Sequence, residues 1–341
     1  MTPTPQAAGA ALHVVVLAGG LTHERDVSLR SGSRLAEALR SCGNDVAVRD
    51  ADADLLPWLA SHNPDAAVIA LHGGRGENGA VQGVLEMAGI PFTGTASHDC
   101  RFAWDKATAK TLMRRAGFAT PDWFTLSHST FRDLGASSLM ELLVSSLGMP
   151  IMLKPYQGGS ALGATAVRDV TDLPAALVSS FAYGDVLLVE RFVVGTEIAV
   201  TVIDDSTDGG GAPRALPSVE VSFPGDVFDY EARYTAGLTT YYTPARLSSV
   251  SAQAAAELAV AAHQTLGLRD VSRTDAIVAA DGSVQFLEVN VSPGLTETSM
   301  LPMAVEAAGE DIGALYSRLL NRAVARRTAS PGNEWRRVVT P

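Results

Sequence analysis

The sequence predicts an α/β protein whose C-terminal part changes to an α+β pattern. Strand and helix patterns alternate through the first third of the chain, which is typical of a parallel sheet with crossover helices. The strands of this region end in glycines, as strands that lead into ligand-binding loops often do. The last third instead contains hairpin patterns, the clearest of them at Asp281-Gly282.

The first third supplies the elements of the parallel sheet. In chain order we predict a strand, a helix that stops at Gly43, a second strand and a second helix: "HVVVLAGG", "SLRSGSRLAEALRSCG", "DAAVIALHGG" and "AVQGVLEMAG". Ligands of such sheets bind at the carboxyl ends of the strands. Glu24 and His72 follow two of these strands and are therefore candidate site residues.

The middle of the chain predicts a change of architecture. A helix, "DKATAKTLMRRAG", begins near Asp105, and the pattern breaks between Gly117 and Pro121. The stretch "GMPIMLKPYQGGSALGATAV" predicts two strands joined by a glycine-rich turn, and "DVLLVERFV" is predicted to open a third region. That region continues with a long hairpin, an aromatic-rich loop, an alanine-rich helix and a last hairpin.

Composition and charge exclude several classes of protein. Of 341 residues, 47% are hydrophobic and 18% charged, which is typical of a globular enzyme. The net charge of −11 and the lack of a long basic run argue against nucleic acid or an anionic membrane as a partner. Two cysteines, Cys42 and Cys100, are too few for a disulfide framework and indicate a reducing cytoplasm. The first apolar run, Ala11 to Ala18, is too short for a membrane span or a signal peptide.

The last hairpin predicts a cluster of polar side chains. A two-residue turn at Asp281-Gly282 pairs Asp275 with Glu288 and Arg273 with Asn290, and all four side chains then share one face. Facing carboxylates repel each other unless solvent, the nearby arginine or a divalent cation offsets their charge. The face is either a Mg²⁺ site or a solvated outer surface. A three-residue loop would shift the pairing by one residue.

Two lysines are candidates for binding phosphate. Lys154 precedes the glycine-rich "PYQGGSALG", whose backbone amides can approach an anion, and Lys106 lies at a predicted helix start. The alternative is that both are surface side chains. No Walker A motif occurs, which disfavours a P-loop fold.

A second glycine motif suggests a different function. Residues Gly74 to Gly79, "GRGENG", match G-x-G-x-x-G, and Asp99 follows about twenty residues later, as in dinucleotide-binding proteins. The motif follows the second strand rather than the first, and Asp99 does not end a strand. A NAD-dependent oxidoreductase is therefore a remote alternative.

Several stretches, taken together and in order, resemble the D-alanine-D-alanine ligases of the ATP-grasp superfamily. They are "LAGGLTHERDVSLRSG", "ALHGGRGENGAVQGVLEMAGIPFTG", "WDKATAK", "GMPIMLKPYQGGSALG", "LLVERFVVGTEIAV", "DYEARY", "SRTDAIV" and "FLEVNVSPGLTETSMLP". The resemblance covers roughly residues 12 to 325. No single stretch is specific enough alone.

The resemblance implies a three-domain ATP-grasp architecture. The expected divisions are a disordered tail (1–12), an N-terminal parallel α/β domain (13–104), a central ATP-grasp subdomain (105–188), a C-terminal subdomain (189–330) with a lid loop (222–245), and a second tail (331–341). ATP is expected between the central and C-terminal sheets with two Mg²⁺ ions, for which Mn²⁺ is an alternative. A cytoplasmic homodimer is implied.

The resemblance also implies roles for individual residues. The expected metal ligands are Asp275, Glu288 and Asn290. The expected ATP-binding residues are Lys106, Lys154, Glu190, Glu197 and Arg233. The expected catalytic residues are Glu24, Ser160, Tyr234, Arg273 and Gly294, and the expected D-alanine-binding residues are His72 and Ser299. The implied reaction joins two D-alanines through an acyl phosphate for peptidoglycan precursor synthesis.

Three positions depart from the family pattern. Ala161 stands where a second serine is frequent, Arg233 replaces a lid lysine, and Ser272 replaces a glycine or alanine before the expected oxyanion arginine. These departures leave the acceptor open. D-serine or D-lactate as second substrate, or a nucleotide-binding regulator without catalysis, are the alternatives.

Overall fold

The structure is a computed structural model that describes residues 11–205, 212–225, 227–228, 235 and 237–326. These residues form two four-stranded sheets and one six-stranded sheet. The predicted α/β start and α+β continuation are confirmed, since the first sheet is parallel and the other two are antiparallel. No helix in these parts of the chain is both long and apolar enough to cross a membrane.

The N-terminal sheet has the strand order β2-β1-β3-β4. Its strands are β1 (His13–Leu17), β2 (Asp45–Arg49), β3 (Ala66–Ile69) and β4 (Phe92–Thr93). The helices of this region are α1 (Arg25–Ser41), α2 (Leu55–His62), α3 (Gly74–Glu77), α4 (Ala80–Met87) and α5 (Ser97–Trp104). The loops after β1 and β3 carry Glu24 and His72 to the same edge of the sheet, as the alternating pattern predicts.

The central sheet has the order β5-β8-β6-β7. Its strands are β5 (Trp123–Ser127), β6 (Ile151–Pro155), β7 (Thr165–Val167) and β8 (Val186–Arg191). The helices between residues 106 and 181 are α6 (Lys106–Arg115), α7 (His128–Leu134), α8 (Ala136–Leu147) and α9 (Leu173–Phe181), with a 3₁₀ turn at Val170–Asp172. The antiparallel pairing of β6 with β7 confirms the predicted pair of strands around the glycine-rich turn.

Strand β8 corrects the expected start of the third region. "DVLLVERFV" does not open the C-terminal sheet, because β8 pairs with β5 and β6 and buries Leu187 and Val189 in the core of the central sheet. A division between residues 188 and 189 would cut this strand. We therefore propose that the central subdomain extends through Arg191.

The C-terminal sheet has the order β12-β11-β9-β13-β14, and β10 also pairs with β9. Its strands are β9 (Gly195–Ile203), β10 (Arg214–Ala215), β11 (Val219–Ser222), β12 (Thr240–Tyr242), β13 (Val271–Ala279) and β14 (Val284–Asn290). The helices among the described residues of this part are α10 (Ser249–Thr265), α11 (Met300–Ala307) and α12 (Ile312–Ala325). Helix α10 is the predicted alanine-rich helix, and the tip of the long hairpin, residues 206–211, lies outside the described residues.

The last hairpin has the predicted pairing at the site but not the predicted turn. Asp275 lies opposite Glu288, as expected. The turn itself is a three-residue loop, since the Ala279 amide donates to the Ser283 carbonyl (2.9 Å) and Gly282 has a left-handed φ of +85°. The predicted two-residue turn is wrong, and the longer loop shifts the pairing near the turn by one residue.

A β-bulge restores the register. The pairing shifts between Asp275 and Ala276, where Ala276 lies opposite Phe286 and Leu287 is the extra residue. As a result Leu287 and Glu288, although adjacent, both line the same cavity. The bulge therefore helps to place the Glu288 side chain in this cavity.

Candidate active site

Two adjoining cavities lie where the three sheets meet. The first has a volume of about 840 Å³ and the second of about 980 Å³. They share a wall formed by Lys106, Gly158, Gly159, Phe228 and Glu288. Every predicted site residue that the structure describes lines one cavity or both. The first contains Lys106, Lys154, Glu190, Glu197, Asp275 and Glu288, and the second contains Glu24, His72, Lys106, Ser160, Arg273, Glu288, Asn290, Gly294 and Ser299.

The first cavity combines apolar walls with a fixed charge pattern. Met152, Phe192 and Leu287 line it and provide apolar surface suited to a flat ring. Glu190 is 2% exposed, and its carboxylate binds the ammonium groups of Lys154 and Lys110, the latter at 2.8 Å. Burial would raise the pKa of Glu190, but the two lysines lower it to about 2. The carboxylate is therefore charged and acts only as an acceptor.

Glu24 is the acidic group of the second cavity. It is the residue before helix α1, and its Oε1 accepts a hydrogen bond from Ser160 Oγ in the glycine-rich turn between β6 and β7. A Cβ added to Gly73, which has a φ of +67°, would lie only 2.0 Å from Glu24 Oε2. Glycine is therefore required at residue 73 for the carboxylate to reach its position. A buried carboxylate of this kind can bind an ammonium group.

His72 links the N-terminal sheet to the segment after β14. Its Nδ1 lies 3.0 Å from the Ser292 carbonyl, which can only accept, so we assign the proton to Nδ1. Nε2 then accepts from Ser31 Oγ at 2.9 Å. Burial and, to a smaller extent, the charge of Arg273 lower the pKa of His72 to about 4, although the hydrogen bond with the Ser292 carbonyl opposes this change. The ring is therefore neutral near pH 7.

Arg273 and Asp275 form a two-pronged ion pair on strand β13. Arg273 Nε donates to Asp275 Oδ1 (2.7 Å) and a terminal guanidinium nitrogen donates to Oδ2 (2.8 Å). Burial lowers the pKa of Arg273, but the charge of Asp275 raises it above its ordinary value. Glu288 lies 3.3 Å from Lys106 Nζ. The two carboxylates of the predicted face thus each have a cation beside them, which offsets the repulsion expected between them.

The oxygen donors of this face suit a hard divalent cation. Asp275, Glu288 and Asn290 provide carboxylate and amide oxygens, the ligands preferred by Mg²⁺. Each carboxylate oxygen has two lone pairs, so the contacts with Arg273 and Lys106 leave acceptor capacity. Within the described residues, no group of three or more His, Cys, Asp or Glu side chains could hold a metal alone. An ion here would therefore also need oxygens from Asn290 and from a ligand such as phosphate.

Gly294 and Ser299 also line the second cavity. Ser299 precedes helix α11, and its hydroxyl lies 2.8 Å from Thr296 Oγ1. A Cβ added to Gly294 would lie 2.6 Å from Ser299 Oγ. A side chain at residue 294 would therefore displace the hydroxyl, so the backbone can approach the cavity only as glycine.

Two buried charged residues were missed by sequence reasoning. Glu77 lines the second cavity and accepts a hydrogen bond from the Gly73 amide at 2.9 Å. Burial and the neighbouring charge of Glu24 raise the pKa of Glu77 to about 7. Lys110 is the second lysine of "WDKATAK", one helical turn after Lys106, and that spacing was the available signal for its place on the same helix face.

The "GRGENG" segment does not form a dinucleotide-binding loop. Its glycines allow close internal packing, since an added Cβ on Gly76 would lie 2.4 Å from the Leu71 carbonyl and one on Gly79 would lie 2.2 Å from the Ser97 carbonyl. Asp99 lies inside helix α5 and not at the end of a strand. The segment instead carries Glu77 to the second cavity.

The departures from the family pattern fall in different places. Ala161 lines the first cavity. Ser272 points away from Arg273 along β13, and its hydroxyl lies 2.8 Å from Nδ1 of the buried His263. Arg233 and Tyr234 lie outside the described residues, as does part of the expected lid loop.

The chain is similar to known ligases along most of its length. The family described as "D-ala D-ala ligase C-terminus" matches residues 112–321. A D-alanine–D-alanine ligase of Anaeromyxobacter sp. (strain K) is 36% identical, over 91% of this chain and 96% of that protein. A solved D-alanine–D-alanine ligase of Bacillus anthracis superposes with a TM-score of 0.78 at 28% identity, covering 93% of this chain and 99% of that one.

A second structure of the Bacillus anthracis enzyme, complexed with ATP, is 26% identical with a TM-score of 0.77, covering 93% of this chain and 99% of that chain. The family match spans both antiparallel sheets, and the relatives extend the similarity over most of the chain. The chain belongs to the D-alanine–D-alanine ligase family, with the ATP-grasp fold.

Proposed function

We propose that this protein joins two D-alanine molecules to D-alanyl-D-alanine, with ATP converted to ADP and phosphate, for peptidoglycan precursor synthesis. The observation that supports this most is the wall shared by the two cavities. A nucleotide in the first cavity would present its terminal phosphate at Lys106 and Glu288, which also line the second cavity. A carboxylate held in the second cavity would meet it there.

In the first step the carboxylate of one D-alanine attacks the terminal phosphate of ATP and forms an acyl phosphate. Glu24, fixed by Ser160, would bind the ammonium of this D-alanine. Lys106 and Lys154 would neutralise the phosphates, and Glu190 and Glu197 would bind adenine and ribose. Phosphoryl transfer depends mainly on such positioning and charge neutralisation.

Asp275, Glu288 and Asn290 would hold Mg²⁺, which when bound neutralises phosphate charge. Arg273 beside Asp275 and Lys106 beside Glu288 orient these carboxylates before any ligand arrives. The same three side chains suit Mn²⁺, which also prefers oxygen ligands.

In the second step the amine of the second D-alanine attacks the acyl phosphate and phosphate leaves. Arg273 and the Gly294 amide would stabilise the oxyanion of the tetrahedral intermediate, each contributing on the order of 3 kcal/mol. Ser299 would hold the carboxylate of the second D-alanine, with His72 close by as a neutral hydrogen-bonding group. Because an acyl phosphate hydrolyses in water, a lid carrying Arg233 and Tyr234 would protect it.

A coupled assay for phosphate release tests this proposal. The wild-type protein with ATP, Mg²⁺ and D-alanine is expected to release phosphate in proportion to dipeptide, and L-alanine is expected to give none. Asp275→Asn is the inactive control. Phosphate release that does not depend on D-alanine would contradict the proposal.

The same assay addresses the identity of the acceptor. D-Serine and D-lactate offered beside D-alanine, and ranked by kcat/KM, separate a dipeptide ligase from one with another acceptor, because one small group changes discrimination by about 1 to 3 kcal/mol. We further propose a homodimer, as the family resemblance implies. Size-exclusion chromatography with light scattering would contradict this by giving the mass of a monomer.

A further inference from the structure

Lys110 is a fully buried charged side chain that lines neither cavity. Its side chain is 0% exposed, and Nζ donates to Glu190 Oε2 at 2.8 Å. The same nitrogen lies 5.2 Å from the centre of the Trp123 ring. Trp123 is the residue paired with Glu190 on the neighbouring strand. Three elements, α6, β5 and β8, thus converge on one ammonium group.

Neutralising one carboxylate does not require two lysines. Lys154 already binds Glu190 Oε1, so Lys110 adds a second positive charge to a buried site. Burial of an ammonium group is unfavourable, and burial accordingly lowers the pKa of Lys110 while Glu190 opposes that change. Stability alone therefore gives little reason for a second lysine here.

The two lysines differ in their access to ligand. Lys154 lines the first cavity, where it would also bind phosphate. Lys110 does not line this cavity and contacts Glu190 from the protein interior. When a nucleotide draws Lys154 toward its phosphates, Lys110 is the cation that stays on the carboxylate. A carboxylate with a permanent counter-ion stays charged and in place while the ligand binds.

We propose that Lys110 is a positioning residue that keeps Glu190 a charged acceptor, and that it thereby makes the site select 6-aminopurine over 6-oxopurine nucleotides. The inference rests on the proposed function, in which Glu190 meets the adenine. A carboxylate accepts from the exocyclic amino group of adenine but repels the carbonyl oxygen at the same position of hypoxanthine. A protonated carboxyl would donate to that oxygen, and the selection would fall.

The test compares ATP with inosine triphosphate in the full-length protein. For Lys110→Met we expect KM for ATP to rise at least tenfold, with kcat changed by less than about threefold. The ratio of kcat/KM for ATP to that for inosine triphosphate should fall at least tenfold. Lys110→Arg, which keeps the charge, should recover part of the ratio. A merely structural role would lower activity with both nucleotides equally.

Arg114→Met is the matched control. Arg114 lies on the same helix with its guanidinium 4.3 Å from the same Trp123 ring, but it pairs with Asp122 and not with Glu190. The Arg114→Met substitution should leave the ratio of kcat/KM for ATP to that for inosine triphosphate unchanged. An equal fall in both variants, or an unchanged ratio in a folded Lys110→Met, would overturn the inference.

Two further measurements keep the test decisive. If Lys110→Met does not fold, the double variant Lys110→Met/Glu190→Gln removes the buried Lys110–Glu190 ion pair as a whole. It should fold with the ratio lost, since an amide both donates and accepts. A double variant that keeps the wild-type ratio would overturn the inference. Equilibrium binding of both nucleotides gives the ratio even for a wild-type protein without D-alanine-dependent turnover, which would contradict only the proposed function.

Discussion

The contact between Glu24 and Ser160 is the residue-scale feature on which binding of the first D-alanine depends most. We expect Ser160→Ala to raise KM for that D-alanine by about tenfold or more. A hydrogen bond to a charged group contributes about 1.5–3 kcal/mol, and 1.4 kcal/mol corresponds to tenfold. The backbone should tolerate the change, because Ala161 already adopts a left-handed φ of +53° beside Ser160 at +52°.

Steady-state kinetics at saturating ATP measures this effect. Ser61→Ala removes an exposed hydroxyl that donates to the Pro57 carbonyl within helix α2, and it serves as the control. A Ser160→Ala enzyme with wild-type KM for D-alanine would show that Ser160 does not position Glu24.

The lowered pKa of His72 predicts that this residue makes the folded protein less stable in mild acid. Its folded-state pKa of about 4 lies below the ordinary value of 6.5, so the unfolded chain binds more protons between those values. The histidine therefore has no effect on stability above pH 6.5, and stability falls as the pH drops from 6.5 toward 4. At pH 5.5 the loss from His72 is about 1.4 kcal/mol, one pH unit at 1.36 kcal/mol each.

Chemical denaturation at pH 7.5 and pH 5.5 measures this loss. Burial also lowers the pKa of His263 to about 4, so a second histidine adds to the loss. Glu77 acts in the opposite direction, because its raised pKa of about 7 lets the folded protein bind a proton more readily than the unfolded chain over this range. His72→Gln should remove about half of the loss that the two histidines cause, and His98→Gln, which removes a largely exposed ring, is the control. An unchanged pH dependence in His72→Gln would contradict the neutral assignment.

Which individual side chains are chemically important could be predicted only in part. Glu24, His72, Lys154 and Glu288 lie at loops or strand ends that the sequence pattern marks, and each lines a cavity. Glu77 could not be identified in this way, because its raised pKa arises from burial and from Glu24, which is distant in sequence. A local sequence pattern shows neither the burial of a side chain nor its distance from a residue far away in the sequence.

At the scale of elements, the last hairpin shows that the pairing of Asp275 with Glu288 was predicted correctly although the predicted turn was wrong. Asp281-Gly282 is compatible with both a two-residue and a three-residue loop. In the structure Gly282 packs against helix α10, where an added Cβ would lie 3.3 Å from Ser251 Oγ. The bulge at Leu287 then compensates. Neither the loop length nor the bulge could be predicted from the strand pattern alone.

The ion pair between Arg326, at the end of helix α12, and Asp270 is expected to anchor this helix to the rest of the protein. Asp270 is fully buried with a left-handed φ of +64°, and it accepts from Arg326 at 2.6 and 2.7 Å and from the Gly94 amide at 2.7 Å. Removing one partner of a buried ion pair leaves the other charge uncompensated. We expect Asp270→Asn to lower the free energy of unfolding by about 3–5 kcal/mol.

Thermal and chemical denaturation measure this loss. The control is Arg132→Met, which removes an ion pair with Asp133 whose side chains are 72% and 62% exposed and which should cost at most about 1 kcal/mol. Similar effects of the two substitutions would show that Asp270 does not anchor the helix.

At the scale of the whole molecule, helices distant in sequence join the three sheets. Helix α6 follows the N-terminal region, yet Ala109 and Met113 pack in the core of the C-terminal sheet with Phe286. Helix α12 ends the described chain, yet Leu319 packs with Leu35 and Val14 of the N-terminal region. Periodicity predicts that these helices are amphipathic but not which sheet each one covers, so the positions of the cavities between sheets required the structure.

This arrangement predicts that ATP and D-alanine each stabilise the folded protein by binding in a different one of the two adjoining cavities. A ligand that binds only the folded protein, at 100 times its Kd, stabilises it by about 2.7 kcal/mol. We expect Lys154→Met to abolish the rise in Tm caused by ATP with Mg²⁺ and to keep the rise caused by D-alanine, because Lys154 lines only the first cavity. Glu24→Gln should do the reverse, because Glu24 lines only the second.

Glu288→Gln completes the experiment, because Glu288 lies in the wall that the cavities share. It should reduce the ATP effect strongly, through the expected metal, and the D-alanine effect more weakly, through Lys106 at 3.3 Å. Calorimetric scans of the three variants with each ligand measure the shifts. If Lys154→Met and Glu24→Gln each lost both shifts, the cavities would act as one site, and the division of nucleotide from amino acid between them would be wrong.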